Sequence, residues 1–131
     1  MPINFDKALG SHEKALMIQA RRASTLASNI VNADTPNYKA RDIDFKQALK
    51  GAQGDTLKMA GSSSGHMTGA GTGISGSDLK YRTPLHPSLD GNTVDLDQEK
   101  AAYTDNAIRY QTTLQFLTGR FSGIKNALRM E

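Results

Sequence analysis

The residues with the types and spacing for chemistry are few. "GTGISG", residues 71–76, has the glycine spacing of a dinucleotide fingerprint, in which backbone amides cradle phosphates. That chemistry needs a strand before the glycines and a helix after them, and here both flanks are Gly/Ser-rich. "DGNTVDLDQEKA", starting at Asp90, resembles a calcium loop, but Val94 and Ala101 stand where oxygen ligands are required. A turn leading into a capped helix accounts for Asp90 and Gly91 better.

His12, His66 and His86 have no spacing that would gather them on one metal, and with no cysteine in the chain there is no thiolate ligand, nucleophile or disulfide. No Ser/His/Asp group or carboxylate pair has a scaffold to hold it, although catalysis needs tightly fixed positions. The sequence therefore predicts no enzyme and no cofactor. Arg21, Arg22, Lys39 and Arg41 form a small basic cluster that a nucleic acid would use, but Asp34, Asp42 and Asp44 interrupt it. A basic helical hairpin binding nucleic acid is the alternative reading, and a salt titration of a gel shift separates it from the main one.

The elements that would position any site are helical. Phe5, Leu9, His12, Leu16, Gln19, Ala23, Leu26 and Ile30 recur at spacings of four and three, a heptad seam predicting a helix over residues 5–31 with Asn4 as its N-cap. A second seam, Tyr103, Ala107, Tyr110, Leu114, Leu117, Phe121, Ile124 and Leu128, predicts a helix over residues 96–129, with Asp95 and Gln98 as a capping box. Within it, the Gly119 to Gly123 spacing permits close approach of another helix, or is a tolerated accident.

Residues 51–78 hold eight of the twelve glycines and no apolar period, so they are expected to be poorly structured. Short strands are expected at 40–45 and 79–83. The fold class is thus mainly α: two long terminal helices in an antiparallel, coiled-coil-like hairpin, joined by a Gly/Ser-rich middle. The expected divisions are residues 1–32 (first helix), 33–50 (turn and post-helix segment), 51–95 (middle and connector) and 96–131 (second helix). Both helices would form one domain. Off the seams, Met17, Ile18, Val31, Ile108 and Phe116 add apolar surface, and Ile18, Ile108 and Phe116 are the expected contacts with other subunits. The formal net charge of +3 is spread over both halves, no apolar run approaches the roughly 18 residues of a membrane span, and the N-terminus lacks a cleaved-signal pattern. A soluble chain is expected, with no membrane insertion.

The first helical pattern stops abruptly at "NADTPNY". Pro36 biases Thr35 to an extended conformation, Asn37 tolerates left-handed backbone, and the Asn and Asp side chains can bind local backbone groups. This reads as a shaped helix exit that aims Tyr38. "LASNIVNADTPNYKARDIDF" resembles the N-terminal signature of bacterial flagellar rod and hook proteins at Asn29, Asn32, Ala33, Thr35, Pro36 and Tyr38, with Asn37 where that family usually has glycine. "PSLDGNTVDLDQE" and the closing "TDNAIRYQTTLQFLTGRFSGIKNAL" resemble the proximal-rod members.

The resemblance implies a structural subunit at the base of the rod, in the periplasm, that polymerises through its terminal helices and transmits motor torque. It implies as partners other copies of itself, rod proteins such as FlgC, the adaptor FliE and the MS-ring protein FliF. It also implies export through the flagellar type III apparatus, for which "FKQAL" offers Phe45 and Leu49 as the recognised pair. The same two residues would equally serve to pack the segment after the helix.

Overall fold

The computed structural model describes residues 9–53, 79–86 and 88–129. Five elements follow in order: α1 (His12–Val31), β1 (Arg41–Ile43), α2 (Phe45–Gln53), β2 (Leu79–Tyr81) and α3 (Leu96–Arg129). The chain is mainly α, as its sequence predicts.

The first helix is interrupted within its expected span. Gly10 has φ of 65°, a left-handed backbone that an α-helix cannot contain, and α1 starts after it with Ser11 at its N-cap. Phe5 and Asn4 of the expected seam lie outside the described residues, as does the expected unstructured stretch over 54–78. Residues 51–53, expected to begin that stretch, instead complete α2.

β1 and β2 pair antiparallel, with Arg41 opposite Tyr81 and Ile43 opposite Leu79, matching the expected strand positions. α2 was not expected. Asp44 initiates it by accepting the Gln47 N–H at 3.1 Å, and Phe45, Ala48, Leu49 and Ala52 then recur on one helical face. That face closes over Ile18 and Ile43, with Leu79 alongside, to make the apolar core.

Covering by β1 and α2 also explains why the buried stripe of α1 is displaced from the heptad seam. The buried residues are Ala15, Ile18, Gln19, Leu26 and Asn29, while Leu16 and Ile30 of the seam are half-buried. Ile18 is therefore not an outward subunit contact: it is fully buried inside its own chain. Two layers press on α1 from different sides, so a single two-helix seam misplaces the core.

α1 and α3 lie against each other with their chains running in opposite directions. Asn29 meets Glu99, Gln19 meets Asn106 and Thr113, and His12 meets Phe116. At about 1.5 Å per residue, the 34 residues of α3 extend about 51 Å, against about 30 Å for the 20 of α1. Asp95 caps α3, its Oδ1 accepting the N–H groups of Asp97 and Gln98 at 3.1 and 3.2 Å.

The line of α3 that faces α1 is polar, with Glu99 and Asn106 its buried members. The predicted apolar seam lies beside that line: Tyr103, Tyr110, Leu114, Phe121 and Leu128 are 38 to 73% exposed, with Leu117 and Ile124 half-buried. A Cβ added to Gly119 or Gly123 would meet nothing within 4 Å, so among the described residues no helix uses that close approach.

Candidate functional site

The polar groups converge where α1 ends. Asn29, fully buried, donates from Nδ2 to the Arg41 carbonyl (2.7 Å) and to Glu99 Oε2 (3.1 Å). Its Oδ1 accepts the Tyr38 hydroxyl and the Arg41 N–H, both at 3.2 Å. One amide thus joins α1, the exit turn, β1 and α3 and uses all the bonding it has to do so.

The turn has its own fastenings. Asn32 donates to Ser28 O at 2.8 Å and accepts the Thr35 hydroxyl at 3.1 Å, and the Ala33 N–H reaches Ile30 O at 3.2 Å. Asn37 has φ of 59°, the left-handed conformation its residue type tolerates, and its N–H donates to Asp90 O at 2.9 Å. Pro36 itself is exposed. From the far side Asn92, nearly buried, donates to the carbonyls of Asn32, Ala33 and Thr35 at 3.1, 2.6 and 3.0 Å. The first of those carbonyls belongs to the C-cap of α1 and the other two to the turn that follows it. Thr93 completes the pairing, its N–H on Tyr38 O at 3.0 Å and its hydroxyl oxygen under the Ala40 N–H at 2.8 Å.

An ion-pair chain runs beside this. Arg22 forks onto both oxygens of Asp42 at 2.8 and 2.9 Å, and Arg82 spans Asp42 (2.7 Å) and Glu99 (2.8 Å). Burial pushes the Asp42 carboxyl up, but the hydrogen bonds from Arg22 and Arg82 together outweigh it and hold the group below the usual carboxylate range. Glu99 is fully buried, so Arg82 and Asn29 are what make its presence there tolerable.

Sequence reasoning found Asn29 through Tyr38 but neither Asn92 and Glu99, which bond to them, nor the chain of Arg22, Asp42 and Arg82 that leads to Glu99. Most of these contacts span 40 to 70 positions. The one available signal was local: Asn92 and Thr93 follow a turn glycine just before a capped helix.

The remaining candidates fall elsewhere. Phe45 and Leu49 are half-buried on α2 against the Ile18 core, and Ile108 and Phe116 are exposed on α3. Of the basic cluster, Arg22 is held by Asp42, Lys39 Nζ donates to Gly91 O at 2.6 Å, and Arg41 lies over the Tyr81 ring, 5.5 Å from its centroid. Among the described residues, no three or more His, Asp or Glu side chains are grouped to hold a metal ion. No described helix is long and apolar enough to cross a membrane.

Residues 9–39, which span α1 and the exit turn, match the family model described as flagella basal body rod protein. Beyond that region the likeness extends over the whole chain. The flagellar basal body rod protein FlgB of Aeromonas hydrophila is 44% identical over 135 aligned positions, covering 100% of this chain and 99% of that protein. The chain belongs to the FlgB family. The FlgB proteins of Escherichia coli K12 (40% identical, 95% of each chain) and Cereibacter sphaeroides (43%, 97% of this chain and 98% of that one) are similar in the same way. FlgB is a family of structural rod proteins, so the fixed helix exit lies within the part of the chain that the rod family shares.

Proposed function

We propose that this chain is a structural subunit of the proximal rod of the bacterial flagellar basal body, working by helix packing and polymerisation with no reacting group. The observation that carries the reading is the full-length likeness to FlgB proteins, 40 to 44% identical. The long α3 supports it, because one subunit leaves most of the apolar stripe from Tyr103 to Leu128 open to others.

In this reading α1 and α3 pack as a coiled-coil-like hairpin within a tube of neighbouring copies. The fixed turn holds β1, α2 and β2 at a set angle to them. The partners are other copies, FlgC and related rod proteins, the adaptor FliE and the MS-ring protein FliF. The rod stands in the periplasm and carries motor torque, and flagellum assembly and motility require the subunit. The chain reaches the rod through the flagellar type III apparatus, and Phe45 and Leu49 are the pair read at the export gate. Ile108 and Phe116 are subunit contacts.

The test is deletion and complementation. Cells without the gene should lack rods and be non-motile, the plasmid-borne chain should restore both, and purified basal bodies should contain it. Intact flagella in the deletion strain would overturn the proposal.

A further inference from the structure

One residue separates α1 from the longer helix that its sequence encodes. Phe5, Leu9, His12 and Leu16 keep the heptad spacings of four, three and four straight across Gly10. Were the break at Gly10 permanent, the two sides would belong to different helices and nothing would hold them in one phase.

The start of α1 is not built as a terminus. An N-cap residue ordinarily has extended backbone and bonds the first turn through its side chain, whereas Ser11 makes no side-chain capping bond and already has helical backbone, with φ of −82° and ψ of 0°. Its carbonyl accepts the Ala15 N–H at 2.9 Å, an ordinary helical bond. On the other side Leu9 is helical too. Gly10 is thus the one residue with left-handed backbone between two helical neighbours.

Glycine populates both hands about equally, so this position can change hand at little intrinsic cost. The left-handed form is supported from α3. The Arg120 guanidinium lies against Gly10, where an added Cβ would stand 3.3 Å from Nη1. That contact borders an open pocket lined by His12, Gln115 and Phe116, at the surface and away from the Ile18 core.

We propose that Gly10 is a conformational switch, left-handed in the single subunit and right-handed in the rod, where α1 runs on through Leu9 toward Phe5. Only the continuous helix presents Phe5, Leu9 and Leu16 as one stripe, so neighbouring subunits packed on that stripe bind the straight form better and draw the chain into it. The proposal rests on the rod reading and adds that the subunit changes shape at one residue when it is taken up.

Gly10→Ala and Gly10→Asn separate the two states. Alanine disfavours left-handed backbone roughly tenfold and its Cβ would press on Arg120, whereas asparagine is among the few side chains that accept that conformation. In a right-handed helix the order reverses, alanine being the better former by about threefold. Each variant is co-expressed with the parent chain in cells lacking the chromosomal copy, and peptide masses from purified basal bodies give the ratio taken up. Gly10→Ala should be taken up at least as well as the parent and about threefold better than Gly10→Asn, and the purified Gly10→Ala chain should show more helix than the parent by circular dichroism. Equal uptake of the two variants, or preference for Gly10→Asn, would show that the rod does not use the right-handed form. Unchanged helicity of Gly10→Ala would show that the free chain has no break to close. Either result overturns the switch and leaves the rod reading intact, while absence of the parent chain from basal bodies would overturn both.

Discussion

Gly91 lies so close to Asn37 that a Cβ on the glycine would stand 2.6 Å from Asn37 Oδ1. Both residues are left-handed, with φ of 75° and 59°, and the Asn37 N–H bonds to the carbonyl of Asp90, just before that glycine. The helix exit and the approach to α3 are thus shaped against each other. Gly91→Ala adds backbone strain to a steric overlap and is expected to cost about 1–3 kcal/mol. Asn37→Gly, which keeps the required φ, is expected to stay within about 1 kcal/mol of the parent. Thermal unfolding followed by circular dichroism checks both, and equal losses would show that the backbone conformation is not what matters.

Ile18 and Phe116 should separate folding from assembly. Ile18→Ala removes the centre of the core under β1 and α2 and is expected to destabilise the chain by about 2–5 kcal/mol. Phe116→Ser, at an exposed site, is expected to change stability by less than about 1 kcal/mol yet reduce swimming in soft agar. Normal swimming with Phe116→Ser would remove Phe116 from the subunit interface.

Arg82 holds the buried Glu99. Arg82→Ala leaves that carboxylate with Asn29 as its remaining partner and is expected to cost about 3–5 kcal/mol in denaturant titrations. Adding Glu99→Gln should recover part of the loss, because a neutral amide needs less compensation. A double variant as unstable as the sum of the two singles would mean the pair is not coupled.

Asp42 makes the fold sensitive to acid. Its folded pKa is depressed, so its contribution is fully present above the unfolded carboxyl value of about 3.9 and is lost as pH falls through the lower folded value. Stability should therefore drop below about pH 4, with a shallower drop in Asp42→Asn, which lacks that group. Parallel pH curves for the two proteins would assign the acid loss to other carboxylates.

Phe45 and Leu49 pack beside the Ile18 core, so an export gate can read them only on a chain that has not closed α2 over that core. Phe45→Ala is expected to reduce secretion severalfold at equal cellular level. Unchanged secretion would leave the pair with packing alone.

The helices, both short strands and the left-handed Asn37 were legible because each is set by local chemistry: an apolar period, a strand-forming run, a residue that accepts positive φ. α2 was legible in principle, since Asp44 and the spacing of Phe45, Ala48, Leu49 and Ala52 are helical signals, but the glycine at 51 obscured its end. The break at Gly10 lay hidden within a continuous heptad. Ile18 was misplaced because the pattern was read for two helices alone, while a third layer buries a second face of α1. Arg82, Asn92 and Glu99 escaped because their partners are brought to them only by the finished fold.

The chain of Arg22, Asp42, Arg82 and Glu99 ties α1, the segments at β1 and β2, and α3 through short directional bonds. Apolar faces resist being pulled apart but slip along one another with little opposition, whereas a forked arginine loses its bonds within an ångström or so of sideways travel. The joint at the end of α1 is therefore keyed against shear, while the apolar flank of α3 can settle against a neighbour in more than one register. A rotating column built from such units would be stiff within each subunit and would concentrate its compliance at the seams between them.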